Sequence, residues 1–251
     1  MSEYNPFSLK GKTILVTGAS SGIGKATAIE CSKMGAKLII TGRDIHRLNN
    51  TLLSLSGSEE NHKMIVADIT SQHDTIDLVS KISEINGAVL SAGRGKTSPI
   101  KFATSDKFKD LFEINLFSQV ELLRLLIKKK RFLNNSSVVF ISSIGGNTRF
   151  TPGNSIYGTT KAALSSFIKF CVVEFSPKIR FNGINPGMIN TPLISQGALS
   201  EEDKNIDIQT NPLKRYGEPE EVAYSAIYLL SDAASWVTGT SLCIDGGISV
   251  H

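Results

Sequence analysis

Short apolar runs alternate along the chain with longer segments in which apolar residues recur at a helical period. The runs predict β-strands over residues 12–17, 38–41, 63–67, 88–91, 137–142, 179–184 and 241–244. The periodic segments predict helices over residues 25–34, 44–55, 72–82, 106–130, 155–175 and 218–230. Residues 185–217 show no sustained pattern and are interpreted as loop-rich.

The order of these elements predicts the fold. Strands that alternate with helices, without hairpin signals between them, form parallel strands joined by right-handed crossovers. The prediction is an α/β fold, a doubly wound parallel sheet with helices on both faces. A chain of 251 residues, 41% of them hydrophobic, is long enough to bury a full core, and no linker or repeat divides it. We expect one domain over residues 1–251.

Charge is spread along the chain, with a net value of +4, except for a basic cluster at residues 128–131. The cluster ends a predicted helix, where cations complement the helix dipole, so a solvated helix end is favoured over a nucleic-acid patch. No apolar segment is long enough for a signal core or a membrane span. We expect a cytoplasmic protein with neither nucleic acid nor membrane as a partner.

The cysteines Cys31, Cys171 and Cys243 lie far apart and lack the spacing of metal ligands. They are expected to be small buried apolar residues, in keeping with a reducing compartment. No metal site is predicted.

A glycine-rich segment follows the first predicted strand and opens the first helix. Gly18, Gly22 and Gly24 have the spacing G-x-x-x-G-x-G, which differs from the common dinucleotide fingerprint G-x-G-x-x-G. Between a strand and a helix, such glycines let the backbone approach a pyrophosphate, and the N–H groups of the helix point at it. The segment predicts a dinucleotide site, with a plain tight turn as the alternative.

The end of the second predicted strand is where a dinucleotide fold selects its cofactor. A carboxylate there binds the ribose of NAD, whereas an arginine accepts the 2′-phosphate of NADP. Arg43 offers a planar, permanently charged group that suits phosphate, and Asp44 is also well placed to cap the next helix. These residues favour NADP(H) over NAD(H).

Tyr157 and Lys161 stand four residues apart in a predicted helix. At this spacing both side chains lie on one face, with Cβ atoms ~5–6 Å apart, so the ammonium reaches the neighbourhood of the phenol. With five Tyr and 27 Lys plus Arg in the chain, about 0.5 such pairs are expected by chance. The pair permits acid catalysis but does not by itself predict it.

Further motifs, in order along the chain, resemble those of the short-chain dehydrogenase/reductase family. They are TGASSGIG at 17–24, VLSAG at 89–93, YGTTK at 157–161, NPGMINT at 185–191 and SDAASWVTGTSLCIDGG at 231–247. The resemblance covers nearly the whole chain and is to members of the carbonyl reductase and 3-oxoacyl-carrier-protein reductase type. It implies a single-domain Rossmann-type fold that binds NAD(P).

The resemblance implies a catalytic tetrad of Asn115, Ser143, Tyr157 and Lys161. Tyr157 would act as general acid and base, and Lys161 would lower the pKa of the phenol and hold the cofactor ribose. Ser143 would bind the substrate oxygen, with Ser142 as the alternative, since the loop from Ser143 to Tyr157 is one residue longer than is usual in the family. Asn115 would anchor a water that relays protons to Lys161.

The same resemblance implies cofactor contacts in several loops. These positions are Gly18, Ser20, Ser21, Gly22, Ile23, Gly24, Arg43, Asp68, Ile69, Ala92, Gly93, Tyr157, Lys161, Pro186, Gly187, Ile189 and Thr191. Ile189 and Thr191 would hold the carboxamide and phosphate side of the cofactor. Leu90 and Ser91 replace the paired asparagines usual in the family, but neither is a reacting group.

The chemistry of these residues suits carbonyl reduction. Hydride transfer to a ketone leaves an alkoxide-like oxygen that needs a proton, and a phenol with a pKa near 10 supplies one readily only when that pKa is lowered. The motifs thus imply an NADP(H)-dependent oxidoreductase that interconverts a ketone and a secondary alcohol. An NAD-dependent alcohol dehydrogenase of the same family, a catalytically silent cofactor-binding sensor and a nucleic-acid binder are the alternatives.

The substrate pocket is expected between residues 95–102, 144–151 and 188–211, the last being a substrate-binding loop. Its candidate side chains are Arg94, Phe102, Arg149, Phe150, Met188 and Leu193. This mixture leaves 3-oxoacyl thioesters, steroids, sugars and small diketones open as the small-molecule substrate.

On the predicted helices 106–130 and 155–175, apolar residues occupy the whole circumference and not one face alone. They are Leu111, Phe112, Leu116, Phe117, Leu122, Leu123, Leu125, Leu126 and Ile127 on the first, and Ala162, Ala163, Leu164, Phe167, Ile168, Phe170, Cys171, Val172, Val173 and Phe175 on the second. A helix on one face of a sheet needs only one apolar stripe, so we expect two-fold pairing of these helices. The family resemblance implies a second interface around residues 236–247. A homotetramer is expected, with a dimer, or cover by the chain's own elements, as the alternative.

Overall fold

A parallel seven-stranded sheet forms the centre of the computed structural model, which describes residues 4–58, 61–192 and 201–250. Its strands are β1 (Thr13–Thr17), β2 (Lys37–Gly42), β3 (Lys63–Val66), β4 (Ile85–Leu90), β5 (Phe132–Ile141), β6 (Ile179–Pro186) and β7 (Ser241–Ile244). The spatial order is β3-β2-β1-β4-β5-β6-β7, and every neighbouring pair is parallel. The predicted doubly wound α/β fold is confirmed.

Helices cover both faces of this sheet. They are α1 (Gly22–Lys33), α2 (Ile45–Leu52), α3 (Gln72–Ser80), α4 (Ser105–Phe112), α5 (Ser118–Lys128), α6 (Ser155–Phe175), α7 (Glu201–Thr210) and α8 (Pro219–Leu230). The chain winds outward from β1 in one direction and from β4 in the other. A crevice therefore opens at the carboxyl ends of β1 and β4, where such sheets bind dinucleotides.

Two apolar cores lie on the two sides of the sheet. On one side, Leu78 of α3 and Leu164 of α6 belong to the cluster that contains Phe140 of β5. On the other side, Leu48 of α2 joins the cluster that contains Val16 of β1. Each fully buried side chain of this size stabilises the fold by roughly 1.5–3 kcal/mol, so these layers hold the strand ends in place.

The long helix predicted over residues 106–130 is interrupted. A π-turn at Glu113–Phe117 separates α4 from α5. It lies where the side chain of Asn115 is bonded to other elements: it donates to the carbonyl of Arg94 over 3.0 Å and to the hydroxyl of Thr160 over 3.2 Å. Insertions of this kind are frequent at functional sites, and a periodicity pattern does not reveal a local shift of one residue.

Other differences from the predictions have local causes. The region interpreted as loop-rich contains α7, whose sequence EEDKNIDIQT is polar and has little apolar periodicity. Cys31 and Cys171 are buried as predicted, but Cys243 is exposed because it lies on β7, the edge strand of the sheet. Many of the apolar residues that we expected to pair with a second copy of the chain are instead buried by the chain itself. They include Leu122, Leu123 and Leu126.

None of the helices in the described part of the chain combines the length and apolar character that a membrane crossing requires. Within residues 4–58, 61–192 and 201–250, no three His, Cys, Asp or Glu side chains lie close enough together to hold a metal ion.

Candidate active site

The glycine-rich loop connects the end of β1 to the start of α1. Gly18 has φ +65°, and a Cβ atom there would lie 3.0 Å from the Cα of Ala92. A Cβ atom at Gly24 would lie 2.4 Å from the carbonyl oxygen of Gly18. Side chains at these two positions would collide with backbone, so glycine is required for α1 to begin this close to β4.

The N-terminus of α1 is suited to an anion. Ser21, its N-cap, makes no side-chain capping bond, and the first turn carries no acidic residue. By contrast, Asp44 and Ser71 accept hydrogen bonds from the first turns of α2 and α3, as the capping prediction for Asp44 requires. A Cβ atom at Gly22 would lie 3.2 Å from Cγ2 of Thr191, so the loop after β6 reaches the same place. This geometry fits a dinucleotide pyrophosphate.

Arg43 lies just beyond β2, at the predicted selector position. Its Nη1 is 3.7 Å from Oδ2 of Asp68, and about two thirds of its side chain is exposed (66%). An exposed pair of this length contributes little to stability, so the guanidinium is free to turn towards a phosphate. Ile69, another expected adenine contact, is buried in the core cluster that contains Phe140. Ser20 of the glycine-rich loop reaches the same strand end, because a Cβ atom at Gly42 would lie 3.2 Å from its Oγ.

Lys161 is buried on α6, next to the ends of β4 and β5. Its Nζ donates to the carbonyl of Ile141 over 2.8 Å and lies 5.8 Å from the ring centroid of Tyr157. It is also 3.5 Å from the position that a Cβ atom of Gly93 would occupy. Burial lowers the pKa of Lys161 to about 8. The ammonium therefore remains mostly protonated at neutral pH and faces the crevice beside Tyr157.

Of the two serine candidates, the structure brings Ser143 to the tyrosine. The Ser143 Oγ accepts from the N–H of Gly145 over 3.0 Å. A Cβ atom at Gly145 would lie 3.3 Å from that Oγ and 3.8 Å from Cε1 of Tyr157, so the Ser143 hydroxyl and the Tyr157 ring border the same space. Ser142 points the other way, and its Oγ donates to the carbonyl of Lys161 over 2.9 Å. Gly146, in the loop between Ser143 and Tyr157, has φ +85°, a left-handed conformation that favours glycine.

The pKa of Tyr157 is raised by burial, and the neighbouring Ser143 hydroxyl partly opposes that rise. In this structure the pKa of Tyr157 is thus raised, not lowered as its position beside Lys161 predicts. The Lys161 ammonium lies 5.8 Å from the ring centroid of Tyr157, close enough for its positive charge to favour the phenolate form.

Asn115 is completely buried in the π-turn. Its Oδ1 accepts from the N–H of Arg94 over 2.9 Å, and its Nδ2 donates to Arg94 and Thr160. These partners belong to the loop after β4 and to α6, so Asn115 is not an ordinary helix-interior asparagine. It joins two of the elements that carry the site.

The expected pocket walls meet at the mouth of the crevice. The N–H of Ser98 donates to the carbonyl of Gly153 over 2.8 Å, which joins the loop after β4 to the loop after β5. Arg149 lies 3.9 Å from Asp207 of α7, and the hydroxyl of Tyr216 donates to Asp207 over 2.9 Å. Leu193, also expected in the pocket, lies outside the described residues.

Comparisons with known proteins place the chain in a family. The family model described as "Enoyl-(Acyl carrier protein) reductase" matches residues 18–249. The 3-oxoacyl-[acyl-carrier-protein] reductase FabG of Rickettsia prowazekii (strain Madrid E) is 35% identical over 248 residues, covering 96% of this chain and 98% of that protein. A solved "short chain dehydrogenase/reductase family protein" superimposes with a TM-score of 0.85 at 30% identity, covering 97% of this chain and 100% of that one. The chain is a short-chain dehydrogenase/reductase.

Further similarities extend over the same length. Senescence-associated protein 13 of Arabidopsis thaliana is 32% identical over 257 residues, covering 100% of this chain and 95% of that protein. A short-chain dehydrogenase/reductase structure from Brucella melitensis has a TM-score of 0.90 at 33% identity, covering 97% and 99%. Members of this family are oxidoreductases that act on CH–OH or carbonyl groups with NAD(P).

Three residues of this short-chain dehydrogenase/reductase site were not named as candidates from the sequence, although the first of them, Thr17, lies in the motif at residues 17–24. The hydroxyl of Thr17, at the end of β1, accepts from the N–H groups of Ser91 and Ala92 over 3.0 and 3.2 Å. Gln119 and Asp207 make bonds that join separate elements. The partners of Thr17 and one partner of Gln119, Ala92, are distant in sequence, so only the folded arrangement reveals these contacts.

Proposed function

We propose that this short-chain dehydrogenase/reductase interconverts a ketone and a secondary alcohol with NADP(H), using Tyr157 as general acid and base. One observation carries the proposal: the Tyr157 phenol, the Ser143 hydroxyl and the Lys161 ammonium converge at the carboxyl ends of β4 and β5. Two hydroxyls beside one cation suit an oxygen on which negative charge develops. The family's cofactor chemistry makes that oxygen the carbonyl oxygen of a ketone.

Each residue then has a distinct task. Ser143 donates a hydrogen bond to the substrate oxygen and holds it beside Tyr157, whose phenol proton passes to that oxygen in the direction of reduction. Lys161 stabilises the resulting phenolate, and Asn115 fixes the loop after β4 against α6. Bound NADPH would supply the hydride, held by the glycine loop at its pyrophosphate, by Arg43 at its 2′-phosphate and by Lys161 at its ribose.

The names of several relatives agree with a ketone substrate. The Rickettsia relative is a reductase of a 3-oxoacyl group, and Levodione Reductase superimposes with a TM-score of 0.86 at 29% identity, covering 96% of this chain and 99% of that one. The description of the matching family model instead names enoyl reduction, which is the second candidate. The Ser143 and Tyr157 hydroxyls would both bind the oxygen on which charge develops, and this arrangement favours reduction of a ketone carbonyl.

Arg43→Ala tests the cofactor preference. Loss of a charged hydrogen bond to the 2′-phosphate is expected to weaken NADPH binding by ~1.5–3 kcal/mol and to leave NADH binding nearly unchanged. The two dissociation constants are measured by fluorescence titration. Arg47→Ala is a matched control, because Arg47 is similarly exposed (61%) and lies 3.3 Å from Asp44 at the start of α2. Equal weakening of both cofactors by Arg43→Ala would favour the NAD-dependent alternative.

We also propose that four copies of the chain associate. Phe117, Phe170 and Val173 are exposed on the surface formed by the π-turn and α6, and Trp236 (99% exposed) and Val250 are exposed in the C-terminal part. Two separate apolar surfaces fit two isologous interfaces, which together give a dimer of dimers.

Three free thiols, at Cys31, Cys171 and Cys243, agree with a reducing compartment, and the cytoplasm is the location that we propose.

Light scattering tests this assembly. The native protein is expected at about four times the 27.1 kDa of one chain. Phe170→Glu should reduce the mass to that of a dimer, because a charge would be buried in the interface formed by α6. Ile76→Glu, at a half-exposed position of α3 outside the proposed interfaces, should leave the mass unchanged. A native mass near that of one chain would contradict the proposal.

A further inference from the structure

Gln119 lies in the first turn of α5, next to the π-turn that carries Asn115, and is completely buried. Its Nε2 donates to the carbonyl of Ala92 over 2.8 Å and to the carbonyl of Asn115 over 3.0 Å. One acceptor, Ala92, lies in the loop just after β4, and the other, Asn115, lies in the π-turn. The carboxamide therefore joins two elements that both border the site.

The orientation of this carboxamide is fixed by its partners. An amide nitrogen has two N–H donors, and both are directed at carbonyl oxygens here; the reversed orientation would set Oε1 against the same two oxygens. The Oε1 atom is buried without a hydrogen-bond partner among the described residues. A buried unpaired oxygen costs free energy, which an apolar side chain would avoid, so the value of this residue lies in its two donated bonds.

Those two bonds act on the surroundings of Lys161. Ala92 precedes Gly93, where a Cβ atom would lie 2.9 Å from Oδ1 of Asn115 and 3.5 Å from Nζ of Lys161. A displacement of Ala92 or of the π-turn would therefore change the contacts of the ammonium. A side chain that ties both carbonyls together restricts that displacement.

We infer that Gln119 is a positioning residue: its carboxamide clamps the carbonyls of Ala92 and Asn115 and so holds Gly93, Asn115 and the Lys161 ammonium in the arrangement that the reaction needs. The inference rests on the proposed function, since it assigns Gln119 a role in the same hydride transfer. Gln119 does not contact the reacting atoms and acts through its two partners.

Gln119→Leu removes both donors at similar volume. Single-turnover reduction of a ketone by NADPH is expected to slow by about 10- to 100-fold, the loss that follows small displacements of catalytic groups. The KM for the ketone should change by less than about twofold. A single-turnover rate constant does not depend on the fraction of active protein, so partial unfolding would not imitate this result.

Ser118→Ala is the matched control. Ser118 is the preceding buried residue, and its hydroxyl donates over 3.1 Å to the carbonyl of Ile114 in the same π-turn, which is neither of the two carbonyls that Gln119 binds. Its single-turnover rate should equal that of the native protein. If Gln119→Leu does not fold, Gln119→Met, which keeps an unbranched side chain, takes its place. Failure of both variants to fold would make the role structural and overturn the inference.

The outcomes separate the two claims. A native enzyme that reduces the ketone, with Gln119→Leu equally fast or slowed no more than Ser118→Ala, overturns the role of Gln119 and leaves the proposed function standing. A native enzyme whose ketone reduction survives Tyr157→Phe contradicts the proposed function itself.

Discussion

Tyr157→Phe is expected to slow ketone reduction by at least ~10²-fold while NADPH binding is largely kept. The substitution keeps the aromatic ring beside Lys161 and removes the proton that the substrate oxygen receives. It also removes the phenol oxygen beside the Ser143 hydroxyl. Steady-state turnover with NADPH, together with a titration of the cofactor, separates the loss of chemistry from a loss of binding.

Tyr224→Phe provides the control for this prediction. Tyr224 is exposed on α8, away from the crevice, so its hydroxyl has no part in the proposed chemistry. Turnover should remain at the native value. Near-normal turnover of Tyr157→Phe would show that another group donates the proton.

Gly146→Ala is expected to destabilise the fold by more than about 3 kcal/mol, the sum of a strained backbone and an overpacked contact. Gly146 has φ +85°, and a Cβ atom there would lie 2.0 Å from the carbonyl oxygen of Gly158, the residue after Tyr157. Both groups are backbone, so neither side yields without moving the start of α6. The free energy of unfolding, measured with denaturant, checks the prediction.

Gly57→Ala isolates the contact from the backbone strain. Gly57 also has a positive φ of 106°, but the nearest heavy atom to a Cβ there is Nε2 of His62, at an ordinary 3.6 Å. It should lose only about 1–2 kcal/mol, the cost of a left-handed conformation for an L-residue. Equal losses at the two positions would mean that the contact between Gly146 and Gly158 does not constrain α6.

Much of the fold is predictable from the sequence because buried parallel strands and amphipathic helices have different periods. The interruption by the π-turn is not, since bonds from Asn115 to the loop after β4 and to α6 fix it, and those partners are far away in sequence. Helix α7 was missed for a related reason: its polar sequence offers little apolar period, and its contacts run through Asp207.

The candidate site was predictable where a motif links nearby residues. Tyr157 and Lys161 share one face of a helix, so their spacing brings them together. The choice between Ser142 and Ser143 depends on which hydroxyl turns towards α6 and which towards the phenol, and only the folded loop decides that. Gln119 belongs to no motif, because both of its acceptors are backbone carbonyls.

We propose that the carbonyl of a ketone receives the hydride of NADPH. The most direct measurement gives the purified enzyme NADPH deuterated at the transferring position, together with a 3-oxoacyl thioester in one reaction and a 2-enoyl thioester in another. Mass spectrometry then locates the deuterium. We expect a 3-hydroxyacyl product with deuterium on the carbinol carbon, formed by the native enzyme and suppressed in Tyr157→Phe. Deuterium in a saturated acyl product, with the ketone left unreduced, would contradict it.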